Sequence, residues 1–181
     1  MSLRAPSLSE REHGWCLSAN RWGARAAVRA YFRTVSRLGD GEFWYALMAG
    51  FALFDGWRGL GAAAHLAVTG AVVAMLYRRL KRWTRRPRPF AVDPRIRPWI
   101  APLDEFSFPS GHTLHAVSFT LVALAYAPSL AWLLIPFTVS VAISRVVLGM
   151  HYPSDVLAAT ALGTGLASLS LWLVPGVSLF F

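Results

Sequence analysis

Three short clusters of chemistry-bearing residues lie in order along this chain. Lys81 is followed, after six intervening residues, by Arg88-Pro89. Pro109-Ser110-Gly111-His112 comes next. Ser144-Arg145 is then followed after five residues by His151 and after three more by Asp155. Together they hold three cations, two hydroxyls, two imidazoles and one carboxylate. Phosphoryl transfer spreads charge over equatorial oxygens and asks the protein mainly for positioned donors. A guanidinium offers paired N–H groups and an ammonium a point charge, so Lys81, Arg88 and Arg145 are candidate phosphate ligands. Ser110 adds a hydroxyl at the start of an expected helix, and Gly111 lets backbone amides approach an anion. Ser144 is either a further hydroxyl or packing inside its helix.

The two histidines suit covalent catalysis, which needs a nucleophile oriented by a partner. Pro153 fits the first turn of a helix, which puts Asp155 within reach of His151. A carboxylate on one ring nitrogen fixes the tautomer and frees the other nitrogen to attack phosphorus. His112, at another helix start, is placed to give a proton to the departing oxygen. His151, His112 and Asp155 are therefore the candidate catalytic residues. His115 reads as packing near that face, and His65 as a polar residue turned toward other helices. Asp93, Asp104 and Glu105 match no metal spacing and read as solvated loop acids; neither a metal nor a cofactor is expected. Arg78, Arg79, Arg82, Arg85 and Arg86 read as solvated or bound to lipid headgroups.

The set resembles the signature of the type 2 phosphatidic acid phosphatase superfamily, which also includes bacterial lipid phosphatases, bacterial acid phosphatases and vanadium haloperoxidases. Each specified position costs about a factor of twenty, so three complete motifs in order form a specific match. The resemblance covers roughly residues 40–175 and leaves out the first 38 residues and the loop 90–108. It implies that His151 becomes a phosphohistidine, that His112 is the general acid and that Asp155 orients. It likewise implies phosphate binding by Lys81, Arg88, Ser110, Gly111 and Arg145.

Composition agrees with a membrane setting. The 181 residues suit one domain, 55% are hydrophobic and mean hydropathy is +0.44, too apolar for an ordinary soluble domain. The net charge of +9 sits beside long apolar runs, which favours basic membrane flanks over nucleic-acid binding. The single cysteine, Cys16, excludes an intrachain disulfide and a zinc cluster. The first residues lack a continuous apolar core, so no cleavable signal peptide is expected.

Residues 1–18 read as irregular. Over residues 19–38, Arg21, Arg25, Arg29, Arg33 and Arg37 recur every fourth position, the pattern of an amphipathic helix in the headgroup region. A solvated basic segment that only sets topology is the plainer alternative. The chain thus divides into a tail with a basic helix, 1–38, and a membrane-embedded phosphatase domain, 39–181. Apolar stretches follow at 43–57, 59–77, 111–127, 130–150 and 154–174. A span needs about 20 residues, so the first and third are short. Pro128 should close the third and Pro136 kink the fourth. Alternating spans bring all three motifs to one membrane face.

The expectation is an all-α integral membrane bundle of about five transmembrane helices plus the interfacial helix. It would be multi-pass in a bacterial-type inner (plasma) membrane, with membrane lipids and a lipid phosphate as its partners. By resemblance, the substrate is polyprenyl diphosphate, phosphatidylglycerol phosphate or phosphatidic acid. A vanadate-dependent haloperoxidase is disfavoured by the apolar spans. A non-catalytic lipid-binding protein is disfavoured by intact His112, His151 and Asp155. Sidedness stays open. On this topology 17 of 18 basic residues share the site face, which points to the cytoplasm, whereas the resemblance points to the periplasm. The motifs specify neither the lipid tail nor the oligomeric state.

Overall fold

The computed structural model describes residues 8–174, and over that range the chain is all-α. The helices are α1 (Leu8–Trp22), α2 (Ala26–Leu38), α3 (Glu42–Phe54), α4 (Gly56–Thr84), the single turn α5 (Pro89–Val92), α6 (Gly111–Tyr126), α7 (Ala131–Val147) and α8 (Pro153–Leu173). A 3₁₀ turn, Pro128–Leu130, joins α6 to α7.

Helix α6 is the hub, packed against α4, α7 and α8. Its 16 residues rise about 24 Å at 1.5 Å each, short of the roughly 30 Å hydrocarbon layer. Nine of the 16 are buried, so protein covers much of the helix. Its closest partner is α8, which turns Ala159, Gly163 and Ala167 inward at four-residue intervals. Small residues there let the backbones approach, and Ser118 Oγ donates to the Gly163 carbonyl at 3.2 Å.

Helices α3 and α4 form a tight hairpin. The apolar stretch at 43–57 breaks at Asp55-Gly56, where Gly56 takes φ +54°, and Trp57 passes to α4. A Cβ on Gly59 would lie 1.9 Å from the Phe51 carbonyl oxygen, so the two helices meet only over a glycine. At 29 residues, α4 rises about 44 Å and carries Arg78–Arg82 beyond the apolar layer.

Three stretches are long and apolar enough to cross a membrane: Gly56–Val92, Pro128–Val147 and Pro153–Leu173. Glu42–Phe54 is a shorter apolar helix. Phe54, Trp57, Trp132 and Trp172 are exposed where α3, α4, α7 and α8 end away from the motifs, an arrangement that suits an interfacial aromatic belt. Helix α7 runs unbroken through Pro136.

The amino-terminal expectations need correction. The part of the irregular segment at 1–7 lies outside the described residues, but 8–18 are helical. Residues 19–38 do not form one helix, because the chain turns at Gly23-Ala24-Arg25. Tertiary contacts impose that break. A Cβ on Gly23 would lie 3.0 Å from Trp99 and from the Val147 carbonyl, and Asn20 donates to the Arg97 and Val147 carbonyls at 2.9 and 3.1 Å. Helix α2 turns Phe32, Val35 and Ser36 into the protein, packing on α7 rather than immersing that face in lipid, while Arg25, Arg33 and Arg37 stay exposed.

Candidate active site

The motif-bearing ends of α4, α6 and α7, with the α7–α8 junction, converge on one cavity of about 1010 Å³. Lys81, Arg88, Gly111, His112, Arg145 and His151 all line it. Away from these charges the wall becomes apolar, with Trp44 and Met48 of α3 facing Ala67, Gly70 and Ala74 of α4.

His151 is placed by a sharp return of the chain after α7. Gly149 takes φ +77° with the Arg97 carbonyl 2.8 Å from where a Cβ would stand, so a side chain is excluded. The amides of Met150 and His151 then both donate to the Arg145 carbonyl at 3.0 Å. This ties His151 directly to the end of α7, and the residue is 1% exposed. Burial, followed by the charges of Arg145, Arg88 and Lys81, holds its pKa well below the ordinary 6.5, so the ring is neutral.

Asp155 lies behind His151 rather than on the cavity wall. Its Oδ2 is 3.5 Å from His151 Nδ1, beyond hydrogen-bond length, and Nδ1 has no other partner. Oδ2 instead accepts the Tyr152 amide at 2.9 Å, capping α8, and Oδ1 accepts Arg86 at 2.7 Å. Arg86 is therefore not a solvated or lipid-bound side chain. It spans from Asp155 to Glu12 of α1 at 2.8 Å, donates to Ser154 Oγ at 2.7 Å and lies over the Tyr152 ring. Glu12 closes the circuit by accepting the Ser154 amide at 2.7 Å. Nearby, burial and then the Glu12 and Asp155 charges push the Cys16 thiol up to about 12, leaving it protonated and unreactive.

Ser110 is the N-cap of α6. Its Oγ accepts the Thr113 amide at 3.4 Å and pairs with Thr113 Oγ1 at 3.0 Å; it is fully buried and off the cavity wall. Gly111 does reach the wall. His112 follows, its Nε2 against the carboxylate of Asp40 from the Gly39-Asp40-Gly41 turn. His115 Nδ1 donates to the Gly111 carbonyl at 3.0 Å, while its ring packs edge-on to Tyr77 and Phe119.

The three cations are all buried. Lys81 Nζ donates to Asp104 Oδ1 and Oδ2 at 2.6 Å each and to the Phe106 carbonyl at 3.1 Å. Arg88 reaches Asp104 Oδ1 through Nη2 at 2.7 Å, the Asp104 carbonyl through Nε at 3.0 Å and the Met150 carbonyl through Nη1 at 2.9 Å. Arg145 donates through Nη1 to Ser36 Oγ of α2, and its Nε is buried without a partner. Asp104 is thus no solvated loop acid. Burial pushes its carboxyl up, but Lys81 and Arg88 outweigh that and hold it below the usual range. Asp93 is likewise buried, paired with His13 at 2.6 Å and Arg95 at 2.8 Å; only Glu105 of the three is exposed. Ser144 packs inside α7, donating to the Val141 carbonyl at 2.6 Å. His65 meets Tyr126 Oη at 3.0 Å. Among the described residues, no group of three or more His, Cys, Asp or Glu is arranged to hold a metal ion.

Comparison with known proteins gives a consistent picture. The PAP2 superfamily sequence profile matches residues 59–178. Decaprenylphosphoryl-5-phosphoribose phosphatase of Mycolicibacterium smegmatis is 36% identical over 143 residues, 73% of this chain and 71% of that protein. Undecaprenyl-diphosphatase of Sulfolobus acidocaldarius is 31% identical over 139 residues, 76% of this chain and 66% of that protein. Phosphatidylglycerophosphatase B of Escherichia coli is 36% identical over 40% of this chain, but over only 30% of its own length. In fold, the chain is similar to the transmembrane PAP2-type phosphatidylglycerolphosphate phosphatase of Bacillus subtilis (TM-score 0.75, 23% identity, 99% of this chain and 92% of the other). It is also similar to Aquifex aeolicus LpxE (TM-score 0.77, 21% identity, 95% and 99%).

Proposed function

The chain belongs to the PAP2 superfamily and is a multi-pass membrane phosphatase, and from that premise we propose that it hydrolyses a lipid phosphate or diphosphate through a phosphohistidine on His151. One observation carries this reading. A buried, neutral His151 with a carboxylate behind its Nδ1 lines the same cavity wall as three cations and a second histidine.

The chemistry runs in two displacements. Nε2 of His151 attacks phosphorus, an N–P bond forms and the P–O bond to the lipid breaks. His112 gives its proton to the departing oxygen. Water then attacks phosphorus and gives a proton to the now neutral His112; an O–P bond forms, the Nε2–P bond breaks, His151 returns to its neutral form and inorganic phosphate leaves. As phosphorus bonds to Nε2, the imidazole becomes cationic, and Asp155 moves from 3.5 Å into a hydrogen bond with Nδ1–H. Arg145 Nε, buried and unpartnered, is the most available donor for the equatorial oxygens, and Arg88 and the Gly111 amide complete the grip. Ser110 acts by holding the α6 amino terminus in place.

Of the five apolar stretches, α3 and α6 are the short ones, and we read both as crossing the bilayer beside α4, α7 and α8. The apolar wall between α3 and α4 gives the lipid tail a place beside the charged end. Polyprenyl diphosphate, phosphatidylglycerol phosphate and phosphatidic acid all fit this chemistry. Rapid quenching of the full chain with a ³²P-labelled lipid phosphate tests the mechanism. Acid-labile, base-stable label on His151 is expected, and its absence during active turnover would remove the covalent step.

A further inference from the structure

Lys81 has no donor left for a substrate. An ammonium carries three N–H groups, and here they go to the two Asp104 oxygens and the Phe106 carbonyl. The same carboxylate takes Arg88 Nη2 at 2.7 Å. Asp104 therefore sits where a phosphate oxygen would bridge Lys81 and Arg88. It comes from a segment between α5 and α6 without regular structure, and its side chain is 36% exposed, so it has room to withdraw. It stays ionised beside two cations.

We propose that Asp104 is a specificity-determining residue: its carboxylate holds the Lys81–Arg88 grip and yields to a dianionic terminal phosphate, but not to the monoanionic phosphodiester of ordinary phospholipid headgroups. This rests on the phosphatase reading above. The physical need is plain. A site at the headgroup level faces phosphodiesters at very high local concentration. A monoanion that displaces a carboxylate exchanges one negative charge for another and gains little. A terminal phosphate, with a second pKa near about 6, brings a second charge near neutral pH. Two buried cations reward that extra charge strongly in a poorly screened site. Arg145, with Nε unpartnered, adds to the reward once the phosphate enters. Glu105 and Asp40 are the other carboxylates on the wall, but the ion pairs of Lys81 and Arg88 go to Asp104.

The experiment uses the full chain in detergent, turning over a lipid phosphate, with two soluble inhibitors. Inorganic phosphate represents the dianion and dimethyl phosphate the monoanionic diester. In Asp104→Asn, the inhibition constant of dimethyl phosphate should fall at least about tenfold relative to that of inorganic phosphate, the scale of one charge-assisted hydrogen bond. Asp104→Glu, which keeps the charge, should retain the unmodified protein's ratio. If Asp104 merely braces the two cations, Asn weakens both inhibitors together and leaves the ratio unchanged; that outcome, or a lowered ratio in the Glu variant, overturns the proposal. Should Asp104→Asn fail to fold, hydrogen exchange on the unmodified protein decides. Amides 103–106 should exchange faster when inorganic phosphate saturates the site, and unchanged or slower exchange is the overturning result. A wild-type enzyme that turns over without any inhibition by inorganic phosphate would instead count against the phosphate site itself.

Discussion

The two histidine regions of the cavity are built differently. His151 is walled in by parts of the chain distant in sequence. The α7 terminus fixes its amide, α8 supplies Asp155, the segment after α4 supplies Arg86, and α1 supplies Glu12. His112 lines the same cavity from a helix start with its side chain 11% exposed, and its partner Asp40 comes from a turn and is 40% exposed. The contrast follows from the work proposed for each. A nucleophile benefits from a fixed position and a lone pair kept free of protons, which burial among cations provides. An acid must recover a proton every cycle, so contact with a carboxylate near solvent serves it better.

Removing the His151 ring should have the largest effect. His151→Ala should abolish turnover on every substrate, because the proposed mechanism gives the bond to phosphorus to no other group. Turnover retained in a folded His151→Ala protein would end the covalent mechanism. Asp155→Asn should come next. The imidazole remains, but its tautomer and its developing charge lose their partner. Its kcat loss should lie between those of His151→Ala and His112→Ala on a lipid phosphate.

His112→Ala separates the regions by leaving group. A lipid alkoxide departs poorly without a proton, so its kcat should fall by about 10²–10⁴. A nitrophenolate leaves unaided, so p-nitrophenyl phosphate should lose far less. Equal losses on both substrates would remove His112 as the acid and erase the distinction between the two sides.

Much of this was legible in the sequence, for particular physical reasons. Apolar runs and Pro/Gly punctuation located α4, α7 and α8, and helix alternation predicted that Lys81, His112 and His151 would share one end. Legibility failed where tertiary partners decide. Asp40 carried no signal of its own, since nothing local says that its carboxylate meets a histidine 72 residues on. Asp104 and Arg86 looked like loop and flank charges because their partners are 23 and 69 residues away. The break at Gly23 opposes the local four-residue arginine rhythm; contacts with Trp99 and Val147 override it.

The amino-terminal support of the His151 side gives a smaller effect. Glu12→Gln keeps the shape but removes the charge that holds Arg86 and accepts the Ser154 amide. A hydrogen bond to a charged group is worth about 1.5–3 kcal/mol, and glutamine recovers part of it. A melting temperature lowered by a few degrees and a several-fold drop in kcat, with KM little changed, are expected. An unaltered kcat would confine α1 to a packing role.

The smallest effect is a pH dependence of stability that His151 should impart. Its pKa in the folded protein lies well below 6.5, the ordinary value it regains on unfolding. Between those two values the unfolded chain binds a proton that the folded protein refuses. Stability must therefore rise with pH across that window and fall as pH drops below 6.5. One group of this kind contributes a slope of at most about 1.4 kcal/mol per pH unit, fading above the unfolded value. His151→Gln cannot titrate and should lack this component. The measurement is the melting temperature of both proteins in one detergent from neutral pH downward. Wild type should lose stability faster than the variant once pH passes below 6.5. Parallel curves would mean that folding leaves the His151 pKa where it lies in the unfolded chain, and burial among cations would then not be what keeps its lone pair free.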